Sequence, residues 1–105
     1  MRIGTDIVEI ARISDPERLA NKILSQREKE YYEARTNKAE VLAGFFAAKE
    51  AFMKATGKGL GLAPVNEIEV LHEEEGAPYI LFKEKTYSVS ISHDGGFAIA
   101  TALYE

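Results

Sequence analysis

The chain contains no cysteine, which removes disulfides and thiolate metal sites from consideration. Tryptophan is absent too, and proline occurs only three times in 105 residues. No apolar run approaches the ~18 residues that suggest a membrane span. Bulk positive charge is also missing. The formal net charge is −4, which speaks against nucleic-acid binding through an overall basic surface. There is no internal repeat and no low-complexity stretch. Met1-Arg2-Ile3-Gly4 leads straight into folded-looking sequence, so no signal peptide is expected and the cytoplasm is the expected compartment.

The residues present are those of an ordinary globular protein, 46% hydrophobic and 29% charged. The length suits one domain spanning residues 1–105. A chain this small buries roughly two-thirds of its unfolded surface, so its core is modest and oligomerisation is a natural support. Charge is unevenly spread. Between Arg12 and Arg27 stand four basic residues (Arg12, Arg18, Lys22 and Arg27) and two acidic ones (Asp15 and Glu17). A locally basic segment in an acidic chain is either a solvated helix face or a contact for an acidic partner.

β-Branched residues predict a strand over Arg2–Ile10. Ser14-Asp15-Pro16 starts a helix, with a capping side chain ahead of proline. Ser25-Gln26-Arg27-Glu28 is a capping box that starts a second, short helix carrying Tyr31 and Tyr32. The longest helix runs from Thr36-Asn37 to about Thr56 and ends at Gly57, an expected left-handed cap. Lys58 to Pro64 is a glycine-rich loop. Strands follow over Glu67–His72, Pro78–Phe82, Tyr87–His93 and Phe97–Tyr104, with turns at Glu73–Gly76 and Asp94-Gly95-Gly96. Helices segregated from antiparallel hairpins indicate an α+β fold.

Three ionisable positions stand out. Asp6 shares its face of the first strand with Gly4, Val8 and Ile10. A carboxylate in phase with apolar residues is usually paired with a cation or a metal, and the small Gly4 leaves space beside it. Glu50 lies on a helical stripe with Ala43, Ala47 and Lys54, where two alanines suggest a shallow channel ending in an acid and a base. The plainer explanation of Glu50 and Lys54 is an i,i+4 surface pair, worth about 0.2–0.5 kcal/mol. His93 ends an apolar strand face, where a histidine is commonly a satisfied core residue. The glycine loop follows a helix C-terminus, not an N-terminus, so it is no P-loop. A phosphate near it needs cations, which Lys54 and Lys58 are placed to supply.

Gly4-Thr5-Asp6-Ile7-Val8-Glu9, Phe46-Ala47-Ala48-Lys49-Glu50-Ala51-Phe52-Met53-Lys54-Ala55-Thr56-Gly57 and Ser90-Ile91-Ser92-His93 closely resemble, in order and spacing, the holo-acyl-carrier-protein synthase family of phosphopantetheinyl transferases. The resemblance implies transfer of the phosphopantetheine arm of coenzyme A to a serine of an apo-acyl carrier protein. It implies that Asp6 and Glu50 hold Mg²⁺, and that Glu50 and Lys54 are catalytic. Lys54, Gly57, Lys58, Gly59, Ser90 and His93 would contact coenzyme A, while Arg12, Arg18 and Lys22 on the first helix would dock the carrier. It further implies a homotrimer with a site at each subunit boundary. The chain departs from the family in two places. Phe45 stands where members often have arginine, and the stretch between Phe82 and Tyr87 is short. Two alternatives stay open: a transferase serving a peptide- or polyketide-synthase carrier, and a non-catalytic carrier-binding module.

Overall fold

The computed structural model describes all 105 residues. Strand β1 (Arg2–Glu9) leads through a 3-10 turn (Ile10–Arg12) into three helices: α1 (Pro16–Ile23), α2 (Gln26–Glu33) and α3 (Lys38–Ala55). Two further 3-10 turns (Gly59–Gly61 and Val65–Glu67) precede β2 (Glu69–His72), β3 (Pro78–Phe82), β4 (Lys85–Asp94) and β5 (Phe97–Tyr104). The five strands form one antiparallel sheet in the order β1-β5-β4-β3-β2. The N-terminal strand therefore pairs with the last one, a return that lets the sheet wrap α3. The expected α+β fold is the observed one.

Helix starts follow the predicted chemistry. The Asp15 carboxylate accepts from the Arg18 N–H at 3.2 Å. Ser25 and Glu28 form the reciprocal capping box. At α3 the side chain of Asn37 donates to Glu40 instead of accepting from the helix. Three strand limits shift. Ile10 turns into the 3-10 segment, and Val65–Glu67 also winds into 3-10 after Pro64, so β2 begins at Glu69. Strand β4 begins two residues earlier than expected, at Lys85, because the turn before it is tight.

Helix α3 is buried almost all round, as an apolar helix inside a small domain must be. It reaches the sheet closely because the residues between them are small. Ala98, Ala100 and Ala102 line the inner face of β5, and Gly4 lies on β1. A Cβ at Gly4 would collide with the carbonyl oxygen of Ala51 and come within 2.6 Å of the Ala55 nitrogen. The space at Gly4 therefore belongs to the helix backbone and is not room for a ligand. Ala43 and Ala47 are likewise fully buried, so the expected alanine channel does not exist.

The short Phe82–Tyr87 segment has a specific geometry. Phe82 pairs with Lys85, leaving Lys83 and Glu84 as a two-residue turn with φ of 48° and 67°. Left-handed backbone costs a residue with a Cβ roughly 1–2 kcal/mol, and two-residue hairpins of this hand favour Asn-Gly. The double change Lys83→Asn, Glu84→Gly should stabilise the protein by about 1 kcal/mol. Urea unfolding checks this: the midpoint rises if the turn carries strain and stays put if it does not.

Candidate functional site

The pleat of β1 turns Asp6 toward α3, and the close approach at Gly4 brings Glu50 and Lys54 up to it. The Asp6 side chain is 11% exposed. Its carboxylate accepts from Lys54 Nζ at 2.9 Å, and the same ammonium donates to the Thr5 carbonyl at 3.1 Å. Lys54 thus pairs across to β1, so the plain i,i+4 pair with Glu50 is not what forms. Glu50 is half-buried with no cation bonded to it. Burial first, and the negative charge of Asp6 second, push its carboxyl above the usual range, while Lys54 partly offsets them. The hydrogen bond to Asp6 raises the Lys54 ammonium above its ordinary value.

Asp6 therefore feels an ammonium at bonding distance, and Glu50 feels the Asp6 charge. Two carboxylates in each other's field, one held by a half-exposed lysine, make a place where a divalent cation relieves repulsion. No third Asp, Glu, His or Cys joins them as a cluster. This donor set fits magnesium, which takes one or two protein carboxylates and leaves its other positions to water and phosphate oxygens.

A groove of about 550 Å³ opens beside the acids. Asp6 and Glu50 line it together with Arg12, Arg18 and Lys22, and Phe46 and Leu19 add apolar surface. The sequence did not show that the basic segment and the acid pair share one cavity. Arg18 and Lys22 lie on α1 as expected. Arg12 does not: it closes the 3-10 turn before that helix.

The glycine loop behaves partly as expected. Gly57, at φ 82°, ends α3, and Gly59 is also left-handed at φ 60°. Lys58 is exposed beside them. The helix end already has a cation, because Arg2 Nε donates to the Ala55 carbonyl at 2.9 Å. A Cβ at Gly57 would meet that guanidinium at 2.7 Å. Sequence reading missed Arg2, since nothing in a strand's second residue announces a contact with a helix C-terminus.

His93 and Ser90 are not brought to the acids. His93 lies against the N-terminal half of α3, with its Nε2 at 3.0 Å from the Glu40 carbonyl and near Gly44. From Gly44 to Lys54 along a helix is about 15 Å. Ser90 points to the opposite face of β4, away from the helices, in register with Thr101. Phe45, in place of the frequent arginine, packs in an aromatic cluster: Tyr31 stacks on His72 with centroids 3.9 Å apart, and Phe45 meets Tyr31 edge-on at 5.7 Å.

Similar proteins agree with this picture. The family model described as the 4'-phosphopantetheinyl transferase superfamily matches residues 2–102. A holo-[acyl-carrier-protein] synthase of Sulfurovum sp. is 42% identical, covering 100% of this chain and 97% of the relative. The crystal structure of the Bacillus anthracis holo-(acyl-carrier-protein) synthase in complex with CoA (3',5'-ADP) is 34% identical with a TM-score of 0.87, covering 96% of this chain and 92% of that one. That of the Helicobacter pylori holo-[acyl-carrier-protein] synthase in complex with coenzyme A is 35% identical with a TM-score of 0.81, covering 96% and 97%. This protein belongs to the holo-[acyl-carrier-protein] synthases of the 4'-phosphopantetheinyl transferase superfamily.

Proposed function

We propose that this protein transfers 4'-phosphopantetheine from coenzyme A to a serine of an apo-acyl carrier protein, releasing adenosine 3',5'-bisphosphate. The observation that carries this reading is the meeting of Asp6, Glu50 and Lys54 beside a groove that also holds Arg12, Arg18 and Lys22. The serine oxygen forms a bond to the phosphorus next to pantetheine, and the bond from that phosphorus to the bisphosphate oxygen breaks. Glu50, half-buried beside the groove, is the group placed to take the serine proton. Lys54 faces the charge that gathers on the leaving oxygen. Asp6 and Glu50 would hold Mg²⁺, which when bound supplies positive charge to the pyrophosphate of coenzyme A. Lys58, Gly57 and Gly59 border the phosphates in this reading.

Arg18 and Lys22, with Arg12 below the helix, face an acidic carrier. A fatty-acid carrier in the cytoplasm is the partner that the three cations at this groove, Arg12, Arg18 and Lys22, fit best. The sheet supports a trimeric arrangement. Its outer face is uncovered and carries Ile3, Ile7, Phe97 and Ile99, with Ile3 66% and Ile7 61% exposed. Apolar area of this kind on so small a chain seeks a partner. Ser90 lies on that outer face, and His93 lies far from Asp6, so both serve coenzyme A from a site shared between copies.

The decisive test is the intact mass of an apo-acyl carrier protein after incubation with coenzyme A, Mg²⁺ and this protein. A gain of one phosphopantetheine is expected, and none with EDTA or with Asp6→Ala or Glu50→Ala, both of which stay folded. No gain from the unaltered protein across several carriers would leave a carrier-binding module as the better reading. Arg18→Glu should raise the carrier KM about tenfold at low salt and leave the coenzyme A KM unchanged. An unaltered carrier KM would remove Arg18 from the docking surface. Ile7→Glu with Ile99→Glu should convert the assembly to monomers in light scattering and lower turnover. Monomers with full activity would refute the shared site.

A further inference from the structure

Lys49 is the one lysine with no access to solvent. It adjoins Glu50 in sequence, yet it points the other way. Its ammonium donates to Glu28 Oε1 at 2.6 Å, to the Ile23 carbonyl at 2.6 Å and to the Val65 carbonyl at 3.2 Å. All three of its protons are used. Glu28 is equally committed: the Ser25 N–H donates to Oε1 at 2.9 Å and the Val70 N–H donates to Oε2 at 2.7 Å. Both side chains are fully buried, and no buried side-chain polar atom lacks a partner.

The parts joined are what make the pair informative. Ile23 is the last residue of α1, the helix that carries Arg18 and Lys22. Lys49 is one residue from Glu50 on α3. A single ammonium therefore ties the C-terminal end of the basic helix to the helix of the acid pair, while Val65 and Val70 hold the segment after the glycine loop. Helix α1 has only eight residues, few contacts with α3 and no strand pairing of its own. Its remaining polar anchor to another helix is the Tyr32 hydroxyl, which donates to Glu17 at 2.9 Å at its other end. Burying two charges costs several kcal/mol of desolvation, and an apolar pair would often be as stable. Stability alone is thus a weak reason for this pair, whereas fixing a distance is a sufficient one.

We infer that Lys49 is a positioning residue for the carrier reaction: through Glu28 and the Ile23 carbonyl it sets the spacing between the cations of α1 and the carboxylates Asp6 and Glu50. The inference rests on the proposed carrier transfer. It separates Lys49 from its neighbours in the central motif, since Lys49 touches neither the groove nor the acids.

The test removes both charges together, so that neither is left buried alone. Glu28→Gln keeps the size and an acceptor oxygen, and Lys49→Met keeps the length of the stem. The double variant is first checked for a cooperative thermal transition and then assayed with varied carrier and varied coenzyme A. The carrier KM should rise about tenfold while the coenzyme A KM stays within about twofold, as expected for a misplaced docking element. In this background Arg18→Glu should cost less than in the unaltered protein, because the two changes act on one contact. If the double variant does not fold, Lys49→Arg takes its place: it keeps the charge but moves the Ile23 carbonyl, and the same split is read. Unchanged carrier KM in a folded variant, or equal rises in both KM values, overturns the inference while transfer by the unaltered protein stands. Absence of transfer by the unaltered protein would instead overturn the function on which it rests.

Discussion

Everything at the site depends on how closely β1 lies against α3. Gly4 is the point of contact, where hydrogen atoms stand against the Ala51 carbonyl and the Ala55 nitrogen. A side chain there would push the strand off the helix. The pleat then carries Asp6, two residues on, to the level of Glu50 and Lys54. Alanines at 98, 100 and 102 keep the neighbouring strand equally near. Close packing of small residues leaves little freedom for the helix to slide, so the acid pair and the lysine are held by backbone fit, with few polar contacts of their own.

Electrostatics divides α3 into two sides. On one side Glu50 and Lys54 meet Asp6 at a partly wet surface, where Lys54 is half-exposed and free to leave its partner. A bond that must be exchanged for a substrate's charge should be weak, and an exposed pair is weak. On the other side Lys49 and Glu28 are sealed from water, with all three ammonium protons used and both carboxylate oxygens accepting hydrogen bonds. Burial alone pushes Glu28 up and Lys49 down, and their mutual attraction opposes both shifts. Breaking such a pair from one side costs about 3–5 kcal/mol. Consecutive residues of one motif thus serve opposite purposes, because a helix turns by about 100° between them.

Much of the architecture was legible. Proline after Asp15, the Ser25–Glu28 box, Gly57 and the Gly95-Gly96 turn are local signals, and local chemistry decided those boundaries. The limits that moved, at Ile10, Glu69 and Lys85, lie where the chain passes into 3-10 turns or a tight hairpin, and residue preference there is slight. The readings that failed were spatial. Gly4 suggested room and instead received a helix. Ala43 and Ala47 suggested a channel and are sealed. Glu50 and Lys54 had the spacing of a surface pair, but β1 competed for the lysine and won.

By itself, the sequence determined the α+β order of elements, the helix caps and the family to which the chain belongs, since each is written in short segments whose chemistry is complete without the rest. Only the tertiary structure decided that Arg12, Arg18 and Lys22 share a groove with Asp6 and Glu50, that His93 stands apart from them, and that Lys49 is bound to Glu28 across 21 residues. Those facts concern residues distant along the chain. Their meeting depends on which small side chains let a strand and a helix touch, and no local signal carries that information.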